Sequence, residues 1–437
     1  MKLEKDLYFN KKILIYGLGI SGISSFNNLK KNNIISCFDD NLKNLKNTVF
    51  KNYIISKKNI YKTKFDHIII SPGINSLKCS LKKYLKRNKS KICTDLDVFY
   101  AKHSKNFIIA ITGTNGKSTT AKLLYDILKK NKSDARLVGN IGNAILKESK
   151  ISQKTIFVVE ISSYQISYSK IFKPNYGILL NISPDHLERH KTINNYIKTK
   201  FKLILSLKKK DCGFINKSDP IQKKYIKNKQ FNCKIVNVEN KLSDYDNNFL
   251  KNTYFKSLNN QQNLSFILKI CSKLRIKKRI IFKVVNNFKA LDFRQQIIHN
   301  SKRLRIINDS KSTSFSSSID LLNNLDKIFW ILGGLPKKGD KFKHNKKNNI
   351  SKIYIFGQHS SFFIRNFKKK FEYLKFRNLE EVIKQIRKDI KKEEKNKKIN
   401  LLFSPCAASF DNFRNFEERG KYFNHLISRY KIKNARQ

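Results

Sequence analysis

The residues with the most chemistry in this 437-residue chain lie between Thr112 and Thr119, in the order T-G-T-N-G-K-S-T. The apolar run Phe107–Ala110 before them predicts a buried strand. The stretch Ala121–Leu128 after them predicts a helix. A glycine-bearing turn between a strand and a helix aims backbone N–H groups and the helix N-terminus at an anion. Lys117 is then placed to reach the outer phosphates of a nucleotide, and the Ser118 hydroxyl to ligate Mg²⁺. The general phosphate-loop pattern has a glycine where Ile111 stands here, so this is a variant loop. The plain alternative is an ordinary glycine turn with a solvated lysine, and the strand–loop–helix setting argues against it.

Other candidate residues sit where predicted strands end. Ile13–Tyr16 runs into Gly17-Leu-Gly-Ile-Ser-Gly22, and a helical stretch then leads to Ile34–Phe38 and Asp39. This βαβ pattern, with G-x-G-x-x-G at its turn and an acidic residue closing the second strand, marks a diphosphate on a helix N-terminus. NAD and a UDP-sugar satisfy it equally, so a dehydrogenase stays open at this point. His67–Ile70 leads into the turn Ser71-Pro-Gly73. Ile156–Val159 leads into Glu160–Gln165, and Tyr176–Leu180 into Asn181–Arg189, which contains Asp185 and His186. A carboxylate and a histidine at strand ends near a phosphate loop suit Mg²⁺. Alone, His186 would read as a capping or packed histidine. Later strand-to-loop transitions fall at Leu304–Thr313, Trp330–Gly334 and Leu401–Gly420.

The alternation of strand and helix that positions these residues predicts an α/β protein. Its length exceeds one ordinary core. Three domains are expected: a Rossmann-like unit over 1–100, a central P-loop ATPase-like unit over 101–297, and a Rossmann-like α/β unit over 298–437. No apolar run approaches the length that spans a bilayer. The N-terminal stretch lacks the small-residue cleavage site of a signal peptide, so a cytoplasmic protein without a membrane partner is expected. The seven cysteines are scattered without a C-x-x-C pair, which argues against a zinc site or a disulfide framework and fits a reducing compartment. The net charge of +60 would suit a polyanion partner. The lysines are spread along the whole chain, however, and accompany Asn and Ile, the other residues of AT-rich codons. Solvated faces without a specific nucleic-acid partner are the expectation, with His344–Lys352 and Lys391–Lys398 as exposed lysine-rich stretches.

Taken together, Gly17–Gly22, Ser71–Ile74, Gly113–Thr119, Gly139–Gly142, Glu160–Gln165, Asp185-His186, Asn308–Lys311, Gly333-Gly334 and Ser404–Gly420 resemble, in order and almost end to end, the Mur ligases. The forms of the two glycine loops are most similar to those of the member that adds D-glutamate to UDP-N-acetylmuramoyl-L-alanine. The resemblance implies three domains that bind, in turn, the UDP end of the substrate, ATP, and the incoming amino acid. It implies an acyl-phosphate route to an amide, and a monomer. By resemblance, Ile20, Ser21, Asp39 and Ser71, Pro72 and Gly73 hold the uridine diphosphate. Asn140, Ser162, Gln165 and His186 contact the sugar–peptide part. Gly113, Thr114, Asn115, Gly116, Lys117, Ser118 and Thr119 carry the phosphates of ATP, with Asn263, Arg294 and Asp309 as further ATP contacts.

The same resemblance has Ser118, Glu160 and His186 serve two Mg²⁺ ions, with Lys200 as a further ligand after CO₂ converts its amine to a carbamate. The spacing Y-x-x-x-K from Tyr196 picks Lys200 in a tract that also holds Lys198 and Lys202. Lys117, His186 and Lys200 are therefore the expected catalytic set. D-glutamate is expected at Lys311, Thr313, Lys337, Ser409 and Phe416. Relatives show G-Q-H-N-x-x-N where this chain has Asn260-Gln-Gln-Asn-Leu-Ser-Phe266, and Asp40 and Asn41 follow Asp39, so some ATP and uracil contacts are expected to differ. Three rivals remain. A folate-type or other Mur-type ligase is the nearest. A basic P-loop protein on nucleic acid would need a clustered basic face with interleaved aromatics. A dehydrogenase would leave Thr112–Thr119 unexplained.

Overall fold

The computed structural model describes residues 7–41, 48–227, 229–337, 339–342, 349–367, 371–394 and 397–434. Its strands form three sheets. The first contains β1 (Lys12–Tyr16), β2 (Ile34–Phe38), β3 (His67–Ile70) and β4 (Ile92–Cys93), all parallel, in the order β2-β1-β3-β4. The second contains β5 (Phe107–Thr112), β6 (Ala135–Gly139), β7 (Ile156–Glu160), β8 (Tyr176–Leu179), β9 (Cys212–Asn216) and β10 (Lys234–Val238). These are also parallel, in the order β10-β9-β8-β5-β7-β6. The third contains β11 (Gln296–Asn300), β12 (Leu304–Asn308), β13 (Ile328–Gly333), β14 (Ile350–Phe356), β15 (Tyr373–Phe376) and β16 (Ile399–Phe403). Its order is β11-β12-β16-β13-β14-β15, and only β11 runs antiparallel to its neighbour.

Parallel sheets carry helices on both faces, so their central strands read as unbroken apolar runs. β5 (FIIAIT) and β16 (INLLF) are buried along nearly their whole length. Each of the first two sheets reverses its winding direction beside the strand that precedes a candidate loop. After β5 the chain passes to β6 and β7 on one side, then to β8, β9 and β10 on the other. The carboxyl end of β5 is therefore a topological switch point, where open α/β sheets bind ligands. The same reversal falls at β1, between β2 and β3.

The chain divides into two compact units. One, over residues 1–251 and 260–286, holds the first two sheets, whose facing surfaces share a core running from Ile13, Ile15 and Phe26 to Val138 and Phe157. The other, over 252–259 and 287–437, holds the third sheet, with Phe329, Ile383 and Phe423 on one face and Trp330, Ile355 and Phe363 on the other. The sequence expectation of exposed surface over 344–352 needs a correction at its end. Asn349 and Ile350 are buried at the start of β14, because that strand crosses an interior position of its sheet. Residues 344–348, and Lys395 and Asn396 of the second lysine-rich stretch, lie outside the described residues.

Candidate active site

At the end of β5 the chain turns through Gly113–Gly116 into the helix Lys117–Lys130. Gly116 adopts φ +81°, and a Cβ there would lie 2.2 Å from Asn263 Oδ1. Only glycine meets both conditions without strain. The loop following β8 holds this turn in place. Asn181 accepts from Thr114 N at 3.0 Å through its carbonyl and from Asn115 N at 2.9 Å through Oδ1. Lys117 folds back over the loop and donates to the carbonyls of Gly113 at 2.9 Å and Thr114 at 2.8 Å. Its ammonium thus stands beside the helix N-terminus, where the partial positive charge of the helix also favours anions.

Ser118 and Glu160 are both buried, and the hydroxyl donates to Glu160 Oε2 at 2.6 Å. A hydroxyl and a carboxylate in contact behind a phosphate loop form the hard-oxygen donor set that Mg²⁺ takes together with phosphate oxygens and water. Among the described residues there is no group of three or more His, Cys, Asp or Glu that could hold a metal alone. Asn263, on the helix Leu258–Lys273, is buried against Gly116, and its Oδ1 has no hydrogen-bond partner among the described residues. An unsatisfied buried acceptor beside a glycine cradle fits a nucleotide that brings the missing donor. Its neighbour Gln262 reaches Asn240 Oδ1 at 2.9 Å, beside a cavity of about 460 Å³ lined by Lys217, Ser218, Lys223, Glu239, Asn240 and Lys241.

Lys200 enters from the helix Ile193–Leu205. It is 1% exposed, and its ammonium donates to Gly113 O at 2.8 Å. Burial, and then the charge of Lys117, drive its pKa far below the usual lysine range. Lys198 and Lys202 are exposed. His186 begins the turn after β8 in a left-handed conformation, φ 55°. Its Nδ1 lies 2.6 Å from the Tyr164 hydroxyl, and its Nε2 lies 3.4 Å from Asp185. The phosphate loop, Glu160, His186, Lys200 and Asn263 all belong to the same compact unit.

The first sheet presents its own loops at β1, β2 and β3. Ile20 opens the helix Ile20–Leu29 and is 78% exposed, with Ser21 half-buried beside it. Gly17 and Gly22 allow the turn to close, since a Cβ on Gly22 would lie 1.9 Å from Gly17 O. Asp39 accepts from Leu18 N at 2.6 Å, and Ser71 donates to Gly17 O at 2.6 Å. Asp40 accepts from Tyr16 at 2.7 Å and from Ser80 at 2.5 Å. Pro72 is half-buried and Gly73 exposed. Asn140 is exposed, and its N–H reaches Glu160 O at 3.1 Å. Ser162 caps the helix Ser163–Tyr168 in a reciprocal pairing with Gln165. Gln165 is buried, and its amide also donates to Asp95 at 3.2 Å, so both ends of this side chain are engaged within the protein.

In the second unit, Asp309 follows β12. It accepts from Gln295 N at 3.1 Å and from Ser404 at 2.8 Å. Burial pushes its carboxyl up to about 7. Arg294 and Lys311 both face the Phe416 ring, at 5.9 and 3.7 Å from its centroid. Thr313 and Lys337 are half-buried, and the buried Ser409 accepts from Phe413 N at 2.9 Å through its carbonyl. Sequence reasoning missed Arg419. It is fully buried and donates to Ser310 O at 2.7 Å, Ala407 O at 2.9 Å and Gly333 O at 3.4 Å, so it ties together the loops after β12, β13 and β16. Asn181 and Tyr164 were also missed. Their signal was position: both lie in the polar stretches that follow β8 and β7.

Known proteins resemble this chain over nearly its whole length. A family profile described as the Mur ligase middle domain matches residues 111–281, and one described as C2185-like, N-terminal, matches residues 9–92. The chain is 30% identical to the UDP-N-acetylmuramoylalanine--D-glutamate ligase of Rickettsia bellii, over 97% of this chain and 98% of that one. It is 31% identical to the enzyme of the same name from Rickettsia prowazekii, over 97% and 99%. Among solved structures, a MurF ligase from Thermotoga maritima in complex with ADP superposes with a TM-score of 0.57 at 17% identity, covering 86% of this chain and 91% of that one. A UDP-N-acetylmuramate-alanine ligase from the same organism gives 0.56 at 15% identity, covering 97% and 100%. The structural likenesses show the shared fold, the near-full-length relatives show the closer kinship, and the chain belongs to the Mur ligase family, in the group of the UDP-N-acetylmuramoylalanine--D-glutamate ligases.

Proposed function

We propose that this protein adds D-glutamate to UDP-N-acetylmuramoyl-L-alanine at the expense of ATP, as a monomer in the cytoplasm, in the synthesis of peptidoglycan precursors. The reading assigns the UDP end of the substrate to the first sheet, ATP to the second and D-glutamate to the third. No helix among the described residues is long and apolar enough to cross a membrane. The observation that carries the chemistry is the convergence of Lys117, the Ser118–Glu160 pair and the buried amine of Lys200 on one glycine turn.

A carboxylate resists attack by an amine because it is anionic and has no leaving group. Transfer of the γ-phosphoryl group of ATP to the alanyl carboxylate gives an acyl phosphate. The free amine of D-glutamate attacks this carbonyl carbon, and the tetrahedral intermediate collapses to an amide with loss of phosphate. The protein's part is positioning and charge stabilisation. The loop N–H groups, the N-terminus of the helix Lys117–Lys130, and Lys117 hold the phosphates and offset the charge on the group in transfer. Ser118, Glu160 and His186 are the residues to hold Mg²⁺, which when bound withdraws charge from the phosphate oxygens. Lys200 cannot be a ligand as an ammonium. Its depressed pKa supplies the neutral amine that adds CO₂, and the carbamate is an anionic oxygen donor suited to a hard cation. Arg294 and Asp309 are assigned to ATP. The cations Lys311 and Lys337 suit an amino acid with two carboxylates, with Thr313, Ser409 and Phe416 completing its seat.

The test follows labelled D-glutamate into a UDP-linked product in the presence of ATP, Mg²⁺ and UDP-N-acetylmuramoyl-L-alanine. Incorporation that needs all components is expected. Incorporation of another amino acid in its place would overturn the assignment.

A further inference from the structure

Among the described residues, Arg189 joins a ligand loop of the first sheet to the His186 turn of the second. Its Nη1 donates to the carbonyl of Pro72 at 2.6 Å, across 117 residues of chain. Its guanidinium lies 3.9 Å from the centroid of the Tyr164 ring, in the geometry of a cation over an aromatic face. The hydroxyl of that same tyrosine lies 2.6 Å from His186 Nδ1. A continuous path therefore runs from the Ser71–Gly73 turn through Arg189 and Tyr164 to the imidazole.

The two sheets do not need this path to stay together. Asp97 Oδ1 accepts from Ser169, Lys170 and Ile171 at 2.9, 2.8 and 2.9 Å, and Asp95 accepts from Gln165 at 3.2 Å. Arg189 differs from those struts in its incomplete bonding. Its Nη2 is buried with no hydrogen-bond partner among the described residues. A planar guanidinium can stack and donate at once, which a lysine cannot do in the same place.

We propose that Arg189 is a positioning residue, which fixes the Tyr164 ring and so the orientation of His186 relative to the loop that carries the UDP end of the substrate. The proposal rests on the ligase reading. Filling of the Ser71–Gly73 loop is thereby registered at the His186 imidazole.

The full-length wild type and the variants Arg189→Ala, Arg189→Lys and Tyr164→Phe test this. In Arg189→Ala, kcat is expected to fall about 100-fold, the effect of a misplacement of about 1 Å at a reacting centre. The Kd for UDP-N-acetylmuramoyl-L-alanine without ATP, and the KM for ATP, should each stay within about threefold. Arg189→Lys should not restore kcat. Tyr164→Phe keeps the ring and loses the bond to Nδ1, so it should lower kcat in the wild type and add little in the Arg189→Ala background. An unchanged kcat, rescue by lysine, or equal losses in kcat, ATP affinity and thermal stability would overturn the proposal. NMR of the His186 ring supplies a readout that needs no turnover. In the protein without substrate, its signals should differ between the wild type and Arg189→Ala, because the Tyr164 ring that meets Nδ1 loses its cation, and coincident signals would also overturn it. A wild type that binds this substrate but fails to use D-glutamate counts against the ligase reading alone, and the imidazole signals still decide the role of Arg189.

Discussion

Lys200 shows how much a side chain's chemistry depends on where its helix points it. Three lysines at positions 198, 200 and 202 are equivalent by composition. Tyr196 and Lys200 are four apart and share a helix face. That face is buried, so Lys200 meets Gly113 O, while Lys198 is exposed and the Lys202 ammonium turns away to the carbonyl of Ser169. Because the folded-state pKa of Lys200 is depressed, the amine is neutral above that pKa and takes up a proton as the pH falls through it. Only the neutral form adds CO₂. With carbon-labelled bicarbonate at mildly alkaline pH, a carbamate carbon signal is therefore expected in the wild type, in Lys198→Ala and in Lys202→Ala. It should be absent in Lys200→Ala and fade on acidification. A signal that survives loss of Lys200 would contradict the assignment. Residues with a motif around them were legible in this way. Arg419 was not, because a buried arginine that bonds only to carbonyls and a hydroxyl is written like any surface arginine on an amphipathic helix.

At the scale of elements, the strand–loop–helix units were the most legible part of the fold. β1, β3, β5, β7 and β8 are apolar runs that end at glycines or at short polar stretches. Their burial on both faces leaves no room for polar residues. Of the strands that the sequence hid, β9 and β14 are interior, and four others are sheet edges. β6, β10, β11 and β15 are half exposed, and their runs are broken by Arg136, Asn237, His299 and Lys375. The phosphate loop is the element on which the chemistry turns, and Gly116 is its tightest point. Gly116→Ala places a side chain at φ +81° and against Asn263. The left-handed conformation alone costs an alanine about 1–2 kcal/mol. A fall in kcat/KM for ATP of about tenfold or more is expected, with the affinity for the UDP-linked substrate retained. Wild-type kinetics in this variant would mean that the loop does not cradle the phosphates as described.

Over the whole molecule, three sheets of parallel strands, with β11 alone antiparallel, each gather loops at the carboxyl ends of their strands. That layout was readable because every sheet uses the same grammar of apolar strand and polar loop. A net charge of +60 bears on solubility and association and carries no information about the fold. The proposed ligation requires ATP to activate the alanyl carboxylate before the amine arrives. Its most direct test uses UDP-N-acetylmuramoyl-L-alanine with heavy oxygen in that carboxylate, together with ATP, Mg²⁺ and D-glutamate. One labelled oxygen should appear in each phosphate released, in step with amide formation. Phosphate that leaves without the label would contradict the acyl-phosphate mechanism and with it the proposed ligation.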